Sequence, residues 1–136
     1  MPYKYHWFDA EHTIIQMDIF GQVTWDEWHT AIDKIINEIK NTSHRVDIIF
    51  HDSVGMPKGN PIPHLNLTNK KFGEQPNIGI IVTVSPRRVS SFVEMIIKII
   101  LRGSKRQKSS NGSFVTTMDE ALNRIKQSRS KEQAAN

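Results

Sequence analysis

Three adjacent residues, His51, Asp52 and Ser53, are of the types that form a hydrolytic triad. Consecutive residues in or near a strand point to opposite faces of a sheet, so this run cannot supply the chain of hydrogen bonds that a triad needs. His64 follows across a segment rich in glycine and proline. His51, Asp52 and His64 are therefore candidates for a ligand-binding loop at the end of a strand, where open α/β sheets bind ligands. A hydrolase that uses these residues is the weakest of the functional hypotheses.

Motifs for metal and nucleotide chemistry are absent from the sequence. The six histidines include no pair with the i, i+4 spacing of a helical zinc site, and there is no HExxH motif. Neither GxGxxG nor a GxxxxGKS or GxxxxGKT motif occurs, which excludes the usual dinucleotide and P-loop signatures. Cysteine is absent, which excludes disulfides, a thiolate nucleophile and cysteine-ligated metals. We expect scattered surface histidines, no metal site and no other cofactor.

Three tryptophans, Trp7, Trp25 and Trp28, could stack on nucleic-acid bases. Trp25 and Trp28 lie on the apolar stripe of a predicted helix, and Trp7 lies in a predicted strand, so core packing is the favoured interpretation. The net charge of +4 arises in residues 102–136, which hold eight of the 18 basic and three of the 14 acidic residues. A solvated loop and tail account for this charge, and no RRM, KH or helix-turn-helix signature is present. We expect no nucleic-acid partner.

Hydrophobic periodicity, capping residues and turn residues predict alternating strands and helices. The order is β-β-α-β-(α)-β-α-β-α, which predicts an α/β fold with a single mixed, mostly parallel sheet of about five strands and helices packed on it. The expected strands cover 3–8, 13–20, 46–50, 78–84 and 113–116, and the expected helices cover 24–40, 64–72, 86–102 and 117–128. A segment rich in glycine and proline separates the third strand from the second helix, and a basic loop follows residue 103.

The length of 136 residues suits one domain, which we place at residues 1–128, followed by a flexible C-terminal tail at 129–136. The most apolar window, Val89 to Leu101, is interrupted by serine, glutamate and lysine and is shorter than a membrane span. The N-terminus shows no signal peptide. We expect a cytoplasmic protein without a transmembrane segment.

Four passages resemble the STAS fold, named for sulfate transporters and anti-sigma-factor antagonists, and within it the SpoIIAA-like group of small bacterial proteins. They are the strand-to-helix passage FGQVTWDEW, the strand VDIIFHD, the strand IIVTV and the closing FVTTMDEALNRI. Together they cover most of residues 5 to 126. The resemblance implies a regulatory, non-enzymatic module that binds a protein partner. Some members of the family are switched by phosphorylation, and some resemble lipid- or nucleotide-binding modules.

The resemblance also makes Ser53 a candidate phosphosite. In anti-sigma antagonists, a serine in a D-S-x-G-apolar passage at a helix N-terminus takes the phosphate, and Asp52 to Met56 match those letters. The setting departs from the family pattern, because prolines replace the helix expected after the serine. A helix N-terminus would stabilise a phosphate through its dipole and free N–H groups. A turn serine is the simpler interpretation.

The predicted helix over 86–102 has a wide apolar surface. At 100° per residue, its apolar side chains cover an arc of roughly 200°, whereas a helix resting on a sheet needs about 100°. A neighbouring helix and loop, a second subunit, or an acyl chain or membrane surface could cover the surplus. The candidate partner or lipid contacts are Phe92, Met95, Ile96 and Ile99, with basic flanks at Arg87, Arg88, Arg102, Lys105 and Arg106.

The first functional hypothesis is therefore a STAS-like interaction module that self-associates through this helix as a homodimer. The alternative is a carrier domain for a lipid or an anionic small ligand, with a pocket between the same helix and the segment 51–73. Basic residues at both ends of an apolar face are suited to anionic lipid. They also suit a helix that is merely solubilised at its ends.

Overall fold

A computed structural model describes residues 3–52, 59–60, 62–84 and 112–135. The strands are β1 (Tyr3–Trp7), β2 (Ile14–Ile19), β3 (Val46–Asp52), β4 (Ile78–Val84) and β5 (Gly112–Val115). The helices in this part of the chain are α1 (Trp25–Lys40), α2 (Ile62–Gly73) and α3 (Met118–Ala135). The candidate contacts on the predicted 86–102 helix and its basic flanks, and also Ser53, lie outside the described residues.

The strands lie side by side in the order in which they occur in the chain. β1 and β2 are antiparallel, and each later neighbouring pair is parallel. The expected α/β class, with a mostly parallel sheet and one antiparallel pair, is confirmed. Parallel crossovers share one handedness, so helices that connect successive strands come to the same face of the sheet. Accordingly, α1 and α2 pack on one face, and α3 packs on the other.

The hairpin between β1 and β2 is closed by Asp9. Its carboxylate accepts hydrogen bonds from the backbone N–H groups of Thr13 and Ile14, at 2.8 and 3.1 Å, and from the Thr13 hydroxyl. Burial raises the pKa of Asp9, but these hydrogen bonds outweigh it and hold the pKa below its usual value. His12 adopts a positive φ of 56° in the turn and stacks on Trp7, with ring centroids 4.6 Å apart. This turn sets the register in which Trp7 pairs with Ile15.

α1 begins with the capping box that its sequence predicts. The Thr24 hydroxyl accepts from the Glu27 backbone N–H at 3.1 Å, and the Glu27 carboxylate accepts from the Thr24 N–H at 3.1 Å. At the other end, the Asn77 amide donates to the carbonyl oxygens of Ile39, Thr42 and His44. The apolar stripe between these ends packs against the sheet, and its buried residues include Ile32, Ile35, Ile36 and Ile39.

α3 is held to the opposite face of the sheet by an ionic network around one buried carboxylate. Asp47 is fully buried in β3, and its carboxylate accepts from Arg45, from Arg129 and from the Ile80 backbone N–H. The Arg129 guanidinium lies 2.7 Å from Asp47 and also donates to the Thr13 carbonyl. Several charge-assisted hydrogen bonds compensate the cost of burying this carboxylate. The network fixes α3 against the starts of β2, β3 and β4.

Element boundaries differ from expectation at two helices. α2 begins at Ile62 instead of His64, and Pro63 lies in its first turn, where a missing N–H breaks no helical hydrogen bond. α3 continues to Ala135, through the segment 129–136 that the sequence predicts as a tail, because Arg129 is bonded into the core. Within the described ranges, no helix is both long enough and apolar enough to span a bilayer.

Candidate functional site

The carboxyl ends of β2 and β3 form the edge of the sheet at which open α/β folds bind ligands. His51 and Asp52 are the last two residues of β3 and are half-buried. Side chains alternate along a strand, so these two lie on opposite faces of the sheet. Gly59 and Asn60 then lead towards α2, which carries His64 in its first turn. Two clusters of side chains result, one on each face.

The first cluster joins α1 to α2. His29 Nε2 lies 2.9 Å from His64 Nδ1, so that one imidazole donates a hydrogen bond and the other accepts it. Trp25, one turn before His29, stacks on His64 with ring centroids 4.5 Å apart and planes 6° from parallel. Trp28 donates from its indole nitrogen to the Thr68 hydroxyl at 2.9 Å. The cluster covers the carboxyl end of β3, where Trp28 packs on Phe50.

Two nitrogen atoms of this cluster are buried without a hydrogen-bond partner among the described residues, namely Trp25 Nε1 and His29 Nδ1. Burial lowers the pKa of His29, and the positive charges of His64 and Lys71 lower it further. The carboxylates of Asp33 and Asp26 oppose this effect without cancelling it. The environment therefore favours a neutral His29.

The second cluster lies on the α3 face and is centred on Asp18. His51 Nδ1 lies 3.2 Å from Asp18 Oδ1, and the Gln16 amide donates to the same oxygen at 2.7 Å. His6 Nδ1 is 4.0 Å from Asp18 Oδ2. An Asp–His contact of this kind fixes the orientation of the imidazole. It links β1, β2 and β3 across the sheet.

The candidate residues His51 and His64 therefore belong to separate clusters. His51 contacts Asp18 on one face, whereas His64 contacts His29 and Trp25 on the other. Among the residues that the structure describes, no group of three or more histidine, cysteine, aspartate or glutamate side chains is placed to hold a metal ion. No family model, curated protein or solved structure matches the chain.

Sequence reasoning missed the pairing of His29 with His64 and the burial of Asp47. The burial of Asp47 had a local signal, because Asp47 is a single acidic residue inside the apolar run VDIIF. A charged side chain in such a run needs a buried partner. The pairing of His29 with His64 had no local signal, because the two residues are 35 apart and only the packing of α1 beside α2 brings them together.

Proposed function

We propose that the chain is a non-enzymatic, STAS-like interaction module that binds a protein partner, in its simplest form a second copy of itself. The observation that supports this proposal most directly is the order of the sheet. An antiparallel pair is followed by parallel strands, which agrees with the mixed, mostly parallel sheet expected of a STAS-like domain. The pattern suits a small regulatory domain of that type, and by itself it specifies no chemistry.

The contacts of the histidines support a binding scaffold over an enzyme. Each of the six makes a contact that joins one part of the fold to another, and this use as structural links accounts for them without a catalytic role. The contacts are His6 and His51 with Asp18, His12 with Trp7, His44 with the His12 carbonyl, and His29 with His64.

The width of the sheet supports the predicted 86–102 helix as the contact surface. β4 and β5 are parallel neighbours, and β5 is a strand of four residues at the edge of the described sheet. Ile78 and Ile81 on β4 are only partly buried. A helix packed over β4 and β5 would lie at the edge of the described sheet, because β5 is its last strand. Its apolar arc of roughly 200° would then exceed what the sheet covers, which leaves a flank for a partner.

Sedimentation of the full chain over a concentration series tests this proposal. Met95 lies at the rim of the apolar arc and Ser91 lies on the polar arc one turn earlier. We expect a dimer for the wild type and for the matched control Ser91→Lys, and a shift towards monomer for Met95→Lys, because a charge at an apolar contact is desolvated.

Two results would contradict the proposal. One is a wild-type monomer at high concentration, and the other is an equal effect of Met95→Lys and Ser91→Lys on the dimer. Native mass spectrometry of the same preparation distinguishes the carrier hypothesis from self-association, because a monomer that carries a bound acyl chain would favour lipid binding.

A further inference from the structure

We propose that His29 and His64 form a proton-sensitive clasp between α1 and the first turn of α2, which opens when both imidazoles are charged. The contact between His29 Nε2 and His64 Nδ1, at 2.9 Å, requires a proton on one nitrogen and a lone pair on the other. A doubly protonated imidazole has two donors and no acceptor. When both rings are charged, the hydrogen bond is therefore replaced by repulsion between two cations in contact.

The surroundings decide which ring donates the hydrogen bond and which accepts it. His64 lies flat against the indole of Trp25, with ring centroids 4.5 Å apart, so that the stacking fixes the plane of its imidazole. Burial and Lys71 favour the neutral form of His29, so we assign His29 as the acceptor and His64 as the donor of the hydrogen bond. The clasp thus stays closed as long as His29 is neutral.

The proton that opens the clasp must enter at His29, against the groups that face it. From α2 these are His64 and Lys71, both of which disfavour a charge on His29, as does burial. From α1 they are Asp33 and Asp26, which favour it, but Asp33 is already paired with Lys71 at 2.7 Å. The net result lowers the pKa of His29 below its usual 6.5. The clasp is therefore closed at neutral pH and opens on acidification.

Contacts that do not titrate limit how far the helix can open. One turn after His64, Thr68 accepts from the Trp28 indole at 2.9 Å. One further turn on, Phe72 is buried against Phe50. The opening is thus confined to the first turn of α2 and to residues 59–60, where Gly59 lies beside Trp25. It uncovers Trp25 without unfolding the domain. The clasp does not depend on the partner-binding proposal.

Amide hydrogen exchange of the full chain, measured from about pH 7.5 to 5 and corrected for intrinsic exchange, tests the clasp residue by residue. In the wild type, the opening constant of the Asn66 amide, the first in α2 beyond the four N–H groups without a helical partner, should rise below about pH 6.5, by at most about tenfold per pH unit for a single coupled proton. Amides around Thr68 and Phe72 should not follow. In His29→Gln, a neutral side chain retains an acceptor, and the rise should disappear.

The matched control is His44→Gln, which removes an exposed imidazole that bonds the His12 carbonyl, away from the clasp, and should leave the rise intact. If near-ultraviolet circular dichroism shows that His29→Gln does not fold, His64→Gln removes the same contact. The proposal is overturned if first-turn exchange in the wild type is independent of pH, or if the folded variant that lacks the imidazole pair keeps the same pH response.

Discussion

Replacing Gly79 by alanine should destabilise the protein, although alanine is normally preferred to glycine in a strand. Gly79 lies in β4 beneath the side chain of Asp47. A Cβ atom at this position would overlap Asp47 Oδ1 and Arg45 Nε and lie 2.9 Å from Asp47 Cγ. The carboxylate cannot move aside, because it is fully buried and is bonded to Arg45, Arg129 and the Ile80 N–H. Relieving the overlap must strain the sheet or break part of this network.

The loss of stability can be estimated from these two ways of relieving the overlap, which are strain in the sheet and loss of a hydrogen bond. Overpacking of a core costs about 1–3 kcal/mol, and loss of one hydrogen bond to a buried charge costs about 1.5–3 kcal/mol. We expect Gly79→Ala to lower the free energy of unfolding by about 3 kcal/mol, measured by urea unfolding at fixed pH and salt. The matched control is Gly73→Ala at the end of α2, where no atom lies within 4 Å of the new Cβ. This control should be neutral or stabilise by up to about 1 kcal/mol.

A double-mutant cycle identifies Asp47 as the obstacle. In an Asp47→Ala background the carboxylate is gone, and the Arg45 guanidinium loses this partner and can turn aside, so Gly79→Ala should cost less than about 1 kcal/mol. Stability of Gly79→Ala equal to that of the wild type would refute the placement of Asp47 over Gly79. An unchanged cost in the Asp47→Ala background would show that the strain has another source.

Three further predictions address α3, the start of α1 and the hairpin. Arg129→Met should lower the free energy of unfolding by about 2–4 kcal/mol, because it removes one partner of the buried Asp47 carboxylate. The control Arg124→Met, on the exposed side of the same helix, should change it by less than about 0.5 kcal/mol. Urea unfolding checks this pair, and equal effects would contradict the network. Thr24→Ala should cost about 1 kcal/mol through loss of the N-cap, while Thr30→Ala within the helix should be neutral or slightly stabilising in thermal unfolding. The pKa of Asp9 is lowered in the folded state, so its contribution to stability is present above about pH 3.8 and is lost as the pH falls through the folded value. Asp9→Asn should therefore flatten the acid limb of the curve of stability against pH, and an unchanged limb would exclude this assignment.

The amino-acid sequence by itself determined the features that depend on near neighbours. The capping box at Thr24 and Glu27 spans three residues, the apolar stripe of α1 repeats every three or four, and the strands of the sheet are short β-branched or alternating runs. Each of these is stabilised by residues within about one turn or one strand, so the pattern is visible in a short window. The α/β class followed from the alternation of those elements.

The tertiary structure alone decided what the candidate residues touch. His29 and His64 are 35 residues apart, and Asp47 and Arg129 are 82 apart. Whether such pairs meet depends on the order of the strands and on the face to which each helix packs. His51 and His64 are the opposite case, because they are close in sequence but lie on opposite faces of the sheet. Alternation along β3 directs His51 to the face of α3, whereas His64 lies on α2, which packs on the other face. Contacts between residues that are distant in the sequence form only when the whole chain is compact, and no pattern in a short stretch of sequence predicts them.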